Sequence, residues 1–537
     1  MSPLSFDPFK SLKKQAHLSH ARRRACVFMT LRVLIGFSAL APCPTFARPI
    51  QIIHTNDLHS HLEHASDPRR GGYAAVKTVI DQLKAAATAK GIETITLDAG
   101  DFSEGSQFYF ADRGREVWRI MDHMGFDAVA LGNHDWLMGT EELDRMLRDV
   151  TPNFPVLAAN FYAPPRLRNI HRYIQPATTL DRAGLKIAIL GLTTPEFVYE
   201  FINDRGRIGS HLDAALKNVA RLKKDHDAIL ALTHIGTDGD RALAQNVEGI
   251  DLVVGGHSHT RLVEPILIEN KKSKRKIPIV QTGRHGESVG DLLVDIEPGK
   301  PLKVLRYRLV PVENHEPGIA DEKVLDSIAR ARELLERDYT AEWLYETIAE
   351  SSVPLEPQEN RNPTYWSQLV VDAMMDGAQA DLSFDVPEFT GIPHPAGPIN
   401  REALMQLYPR QFALDQPLGW TLWTTDVRGW MLELGLKLAL QSDAVFGLGG
   451  VRWHETLKNG KRSVSHIRIG GRKIDPFKSY RVAIPEGIGR GVVEITPALK
   501  ILLRNSQDTG VPILSAIEDS IRRKSENGSP SVLTRSD

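Results

Sequence analysis

Cysteine is almost absent. Of 537 residues only Cys26 and Cys43 carry a thiol, and both fall in the first 47. Beyond that stretch a disulfide framework, a thiolate metal site and a cysteine nucleophile are all excluded. Neither sign of charge dominates, with 66 Lys plus Arg against 67 Asp plus Glu. No global field would therefore draw in a nucleic acid polymer or an anionic membrane. The one dense basic run, Lys271-Lys272-Ser273-Lys274-Arg275-Lys276, reads as a solvated loop between strands. No apolar run after Ala41 is long enough for a transmembrane helix, and no internal repeat is visible. Hydrophobic residues at 42% and charged residues at 25% are ordinary for a globular protein, and the length suggests two domains or more.

The first 47 residues read as a targeting segment. Arg22-Arg23-Arg24 and Arg32 form a positive region, Val33 to Ala41 a short apolar one, and Thr45-Phe46-Ala47 a small-x-small cleavage site. The expectation is a signal peptide over 1–47, a mature chain beginning at Arg48, and a periplasmic or secreted location. Pro42 before Cys43 argues against a lipoprotein signal, and the residues after Arg23-Arg24 fit a twin-arginine signal poorly.

What the sequence does have is a recurring event at the ends of strand-like runs. Ile50 to Ile53 leads into His54 and Asn56-Asp57-Leu58-His59; Thr94 to Leu97 leads into Asp98-Ala99-Gly100-Asp101; Ala128 to Leu131 leads into Gly132-Asn133-His134-Asp135. Ala228 to Thr233 stops at His234, and Asp251 to Val254 opens into Gly255-Gly256-His257-Ser258-His259. Asp-x-His and His-x-His put both side chains on one face of an extended segment. Ligands of open α/β sheets gather outside the carboxyl ends of strands. Five such ends offering Asp, Asn or His describe one site for more than one hard or borderline cation.

These motifs, in this order, resemble those of the calcineurin-like metallophosphoesterases, and more narrowly the secreted 5′-nucleotidase family. The resemblance implies a four-layer α/β/β/α sandwich over 48–315, a connecting helix or linker over 316–345, a smaller α/β substrate domain over 346–515 and a tail over 516–537. The residues alone predict helices around Ala74 to Leu83, Glu116 to Met124, Glu141 to Leu147 and Ala320 to Tyr339, closing antiparallel strands over Val289 to Arg308, and a mobile segment from Leu355 to Pro363. The resemblance further implies two divalent cations. Asp57, His59, Asp101 and His259 would hold one, and Asp101, Asn133, His234 and His257 the other, with Asp101 bridging. The ligand set carries no sulfur and suits Mn, Zn, Fe or Co. A metal-bridging hydroxide would attack phosphorus, and His134 would stabilise the phosphoryl oxygens and protonate the leaving oxygen.

One departure concerns that histidine. Family members commonly carry an Asp three residues beyond it, and here that position is Leu137, so His134 is expected to be less well oriented. His54, His61 and His64 read as supporting or solvated residues, and His285 as a residue that could border the site.

The second half matches more loosely. Tyr365 to Ala378, Ile399-Asn400-Arg401, Leu407-Tyr408-Pro409, Gly447 to Trp453 and Tyr480 to Ala483 fit the family pattern. The usual Asn-Gly-Gly-x-Arg loop is replaced by Phe384-Asp385-Val386-Pro387-Glu388-Phe389, and Pro-Phe-x-Asn by Pro409-Arg410-Gln411-Phe412. With both base-stacking rings out of register, Arg410 and Phe412 are the candidates to bind substrate; Trp420, Trp423 and Trp430 read as core. The partner expected is a small phosphoester, nucleotides included. Two other readings stand beside the hydrolase: a thiosulfohydrolase-like enzyme acting on a carrier protein, whose branch departs from Gly-Asn-His, and a metal-stabilised binding protein without turnover.

Overall fold

The alternating strands and helices of the first half resolve into two packed sheets. One is seven-stranded, in the order Lys303–Pro311, Ser288–Asp295, Pro49–Thr55, Glu93–Asp98, Ala128–Ala130, Val156–Leu157 and Ile174–Gln175; the other is six-stranded, in the order Ile266–Glu269, Lys276–Val280, Leu252–Gly255, Ala228–His234, Leu185–Thr193 and Ala177–Arg182. This computed structural model describes residues 49–63, 71–196, 206–312, 321–412, 416–458, 461–491, 503, 505–525 and 532–533. The expected signal segment, His64 and residues 526–531 and 534–537 of the C-terminal tail lie outside them.

Period-two alternation sorts each strand's side chains between layers. Ile50, Ile52, Ile95 and Leu97 of one sheet meet Ile187, Ile189, Leu230 and Leu232 of the other in the central core. Ile53 points the other way, into a cluster with Val76, Ile80 and Trp118 of the helices Gly72–Thr88 and Arg115–Met124. On the far face Leu190, Ile229 and Val253 pack with Ala215, Val219 and Leu243 of the helices His211–Leu222 and Gly236–Asn246. That is the expected four-layer arrangement.

The helix Glu322–Tyr339 begins at Asp321, whose carboxylate accepts from the amides of Lys323 and Val324. It buries Val324, Ile328, Ala331 and Leu335 in the same cluster that holds Phe102 and Phe108 of the first half and Trp366, Leu404 and Trp420 of the second. The second half adds a five-stranded sheet in the order Gly447–Gly449, Leu382–Asp385, Ser479–Pro485, Thr421–Arg428 and Gln507–Pro512.

Three expectations change. The segment expected to be mobile is tied down: Leu355 is buried and exchanges both backbone hydrogen bonds with His394, at 2.8 and 2.9 Å. The helix Ile513–Ser525 runs across the boundary placed at 515 and buries Ala516, Ile517 and Ile521. Among the tryptophans Trp420 is core, but Trp430 is 56% exposed, because the helix Gly429–Gln441 turns Leu432, Leu436 and Leu440 inward instead.

Candidate metal centre and active site

Sheet order brings the chemically rich strand ends to one rim. Pro49–Thr55, Glu93–Asp98 and Ala128–Ala130 are parallel neighbours in the first sheet, and Ala228–His234 and Leu252–Gly255 are parallel neighbours in the second. Parallel strands end on the same side, so the loops that follow emerge together.

The backbone then turns sharply to aim the side chains. Asp57, His59, Asp101, His257 and His259 all take left-handed φ values, from 49° to 79°. Such a residue costs about 1–3 kcal/mol and persists only where its surroundings over-determine it. Here the amides of Asp57 and His59 donate to the carbonyls of Gly100 and Asp101 at 2.9 and 2.8 Å. The Asp135 carboxylate accepts from the amides of Asp101, Phe102, Ser103 and Gly132 at 2.7 to 3.0 Å. Burial and the neighbouring Asp101 push its carboxyl up to about 7, against the pull of those donors. Asn56 straps the first loop to another, accepting from the amide of Thr282 at 2.8 Å and donating to the Gly283 carbonyl at 2.7 Å. Gly132 has an ordinary φ of −86°, yet a side chain is forbidden there: a Cβ would lie 2.0 Å from Asp101 Oδ1. Closeness, and not backbone conformation, requires that glycine.

Donor atoms of Asp57, His59 and His259 lie within 4.8 Å of one another, and so do those of Asp101, His234 and His257. His259 Nε2 is 3.3 Å from Asp57 Oδ1 and 3.0 Å from His59 Nε2. Asp101 Oδ2 lies 3.0 Å from His234 Nε2 and 3.9 Å from His59 Nε2, and so stands between the two groups. Asn133 is fully buried, and neither its side-chain oxygen nor its nitrogen has a hydrogen-bond partner among the described residues. A buried amide left so costs about 1–3 kcal/mol unless something else takes its oxygen. Two imidazoles are oriented as metal ligands usually are, each donating its outer ring nitrogen to a carbonyl. His59 Nδ1 meets the Glu104 carbonyl at 2.6 Å, and His234 Nδ1 meets that of Ala99 at 2.8 Å.

Electrostatics agree with this placement. Burial drives His59 well below its ordinary pKa and lowers His257, giving the neutral form that ligates a cation. Burial resists the Asp101 charge, but His234, His134 and His59 outweigh it and hold the carboxyl well below the usual range. His234 is the exception. Burial lowers it, yet Asp101 lifts it to about 10, and a bound cation would displace that proton. The residues present fit two divalent cations held by nitrogen and oxygen.

His134 stands beside these groups. Its ring lies 5.0 Å from that of His59, and its Nδ1 meets Glu104 Oε2 at 2.6 Å. The carboxylate missing at Leu137 is therefore supplied by Glu104, while Leu137 is buried in the core. Asp135 does not reach the ring, because its oxygens are taken by backbone amides. Glu104 was legible as an ionisable residue three places after Asp101, but nothing in its spacing says which ring it meets.

The second half reaches the same spot. Arg410 Nη1 donates to Glu104 Oε2 at 2.6 Å and lies 3.4 Å from His134 Nδ1, while Nε and Nη2 donate to the carbonyls of Phe389 and Glu388 at 3.0 and 2.7 Å. Arg410 thus lines the site with its guanidinium held by three fixed acceptors and only 7% exposed. Phe412 does not line it at all; it is buried with its ring 4.7 Å from that of Trp420. His285 borders the cleft, 5.7 Å ring to ring from His59, and His61 packs behind it at 4.1 Å. His54 is buried below the rim, stacked on Tyr307 at 6.1 Å. The cleft itself, about 1150 Å³, is lined by His134, His257, His259, Arg284, Glu388 and Arg410 among others.

Residues 50–261 match the calcineurin-like phosphoesterase family. A 5′-nucleotidase of Vibrio vulnificus is 29% identical over 495 residues, covering 81% of this chain and 84% of that protein. The chain thus carries a calcineurin-like phosphoesterase domain and is similar to 5′-nucleotidases along most of its length. Bovine 5′-nucleotidase is 33% identical over 297 residues, 50% of each protein, so the chain spans about half the length of the mammalian relatives it matches. Two solved structures share the fold. The 5′-nucleotidase precursor of Thermus thermophilus superposes with a TM-score of 0.74 at 23% identity, covering 89% of this chain and 96% of that one. A Thermus sulfate thiohydrolase superposes with a TM-score of 0.70 at 19% identity, covering 90% and 95%. No helix among the described residues is long and apolar enough to cross a membrane.

Proposed function

We propose that this chain is an exported, metal-dependent hydrolase of small phosphoesters, 5′-nucleotidase-like, nucleotides included. The observation that carries the reading is the pair of donor groups meeting at Asp101, with His134 beside them in the cleft. Asp57, His59, Asp101 and His259 would hold one cation, and Asp101, Asn133, His234 and His257 the other. When bound, the cations supply Lewis-acid polarisation of the phosphoryl group and a more acidic attacking water. The chain's own residues do the rest. The buried Asp135 and Asn56 contacts fix the ligand loops before substrate arrives. His134, held through Nδ1, keeps Nε2 for the phosphoryl or leaving oxygen.

The relatives named as 5′-nucleotidases support a nucleotide as substrate. The second half supports a weaker hold on the base, since Arg410 is engaged elsewhere and Phe412 is core. Two stacked rings would have added about 1–3 kcal/mol per base. Export is supported by the pattern from Arg22 to Ala47, and cell fractionation checks it.

The decisive experiment loads the purified protein with Mn, Zn or Co and measures phosphate release from nucleoside 5′-monophosphates, cyclic nucleotides, sugar phosphates and an activated aryl phosphate. Asp101→Asn is the control, and its activity should fall by more than about 100-fold, beyond the usual cost of losing an outer partner of a metal site. Turnover of the aryl ester alone would mean a working centre with a diverged substrate pocket. Silence across the panel with two metals bound would sink the reading and favour the sulfur-ester or non-catalytic alternative.

A further inference from the structure

Three departures from the family pattern meet in one cluster. Leu137 stands where a carboxylate would orient His134. Arg410 lies in the segment that replaces the aromatic-bearing Pro-Phe-x-Asn. Glu388 and Phe389, whose carbonyls hold the Arg410 guanidinium, belong to the loop that replaces Asn-Gly-Gly-x-Arg. Glu104 sits at the centre of all three.

We propose that Glu104 is the positioning residue of His134, and that Arg410 holds Glu104 in place across the two halves of the chain. The inference rests on the hydrolase reading above. Glu104 serves two rings at once: its carbonyl accepts from His59 Nδ1 at 2.6 Å, and its carboxylate Oε2 accepts from His134 Nδ1 at 2.6 Å. With Nδ1 committed, Nε2 is the nitrogen that faces the reacting phosphoester. In the step itself, the oxygen of water bonds to phosphorus and the bond from phosphorus to the leaving oxygen breaks. The electron pair stays on that oxygen, which takes the proton from Nε2 of the protonated His134 ring, while the attacking water gives up one proton to solvent and the ring regains one from solvent after the product leaves.

Arg410 completes the device. The Glu104 side chain is fully buried, and a carboxylate so placed needs a hydrogen-bonded cation. The Arg410 fork supplies it through Nη1, while its other nitrogens are fixed by two carbonyls, so the guanidinium cannot swing away to stack on a base. The plain alternative is a salt bridge that only joins the two halves. That alternative predicts a loss of stability, with no preference among substrates.

The test compares an alkyl phosphate with 4-nitrophenyl phosphate, whose leaving group needs little help from a proton. Glu104→Gln, Arg410→Gln and the double variant are measured with two metals bound, and metal content is read by mass spectrometry. For Glu104→Gln, kcat on the alkyl ester should fall about 10–100-fold, the usual cost of an outer partner, and at least about tenfold less on the aryl ester. KM and metal content should move little. Arg410→Gln should shift the alkyl-to-aryl ratio the same way, and the double variant should lose less than the two singles combined, because both act through one contact. Equal losses on both esters, fully additive losses, or loss of metal in Glu104→Gln would each overturn the proposal. If Glu104→Gln does not fold, Arg410→Gln at the cleft wall decides by the same ratio. A wild-type protein that hydrolyses neither ester brings down the hydrolase reading and this inference together; one that hydrolyses both while the variants keep the ratio brings down this inference alone.

Discussion

The two halves place their chemical groups by different means. In the first half the backbone does it: parallel strand ends, five left-handed positions at Asp57, His59, Asp101, His257 and His259, and the Asp135 and Asn56 side chains bound to amides and carbonyls. In the second half side chains do it, with Arg410 clamped between a carboxylate and two carbonyls and Phe412 withdrawn against Trp420. Backbone-determined geometry tolerates few residue types at each place. Side-chain geometry can be rebuilt by exchanging partners: Arg410 of the second half binds the same Glu104 oxygen that meets His134 Nδ1.

The comparison can be broken most severely at Gly132. Gly132→Ala puts a Cβ against Asp101 Oδ1 and should cut phosphoester turnover by about 100-fold or more, with metal lost on dialysis. An active, fully loaded variant would show that backbone closeness does not set the shared carboxylate. Phe412→Ala comes next. As a core residue its loss should lower unfolding free energy by about 3–5 kcal/mol in denaturant titrations. Unchanged stability with a raised KM for nucleotides would return Phe412 to the substrate pocket.

His54 sharpens the first half's side of the contrast. It is buried, neither ring nitrogen has a hydrogen-bond partner among the described residues, and burial pushes its pKa down to about 3 despite the nearby Asp291. Between that value and the ordinary 6.5 the unfolded chain binds the proton and the folded one does not. Stability present above pH 6.5 is therefore lost as pH falls toward 3, by a few kcal/mol (on the order of 5 at the limit) from this group. Denaturation of the wild type against His54→Leu over pH 3 to 7 should show the wild-type curve falling away from the variant's; parallel curves would refute it. Trp430→Ser, on an exposed helix face, should change stability by less than about 0.5 kcal/mol. A larger drop in thermal unfolding would mean that face is covered in solution.

The same contrast explains what could be read without coordinates. Asp57, His59, Asp101, Asn133, His234, His257 and His259 were legible because strand period and motif order mark them, and the structure gathers them on one rim. Glu104 and Arg410, 306 positions apart in the chain, carry no such mark, since their pairing depends on how the halves pack. Leu137 misled because a missing carboxylate is visible in a sequence and its replacement from another loop is not. Trp430 misled because helix Gly429–Gln441 is apolar nearly all round, so period alone does not say which side faces in.

Asp135 has a mechanical consequence. By binding the amides of Asp101, Phe102 and Ser103 together with that of Gly132, it welds the loop bearing the shared carboxylate to the loop bearing Asn133 and His134. Those two loops can only travel as one stiff body. The other sheet is joined to them by the His257 amide on Asp57, at 3.0 and 3.2 Å, by His234 on the Ala99 carbonyl, and by Asn160, which accepts from the Thr193 amide and donates to its carbonyl at 2.9 and 2.7 Å. A substitution at Asp135 would therefore be felt at Asp101, Asn133 and His134 together, because one side chain holds both loops.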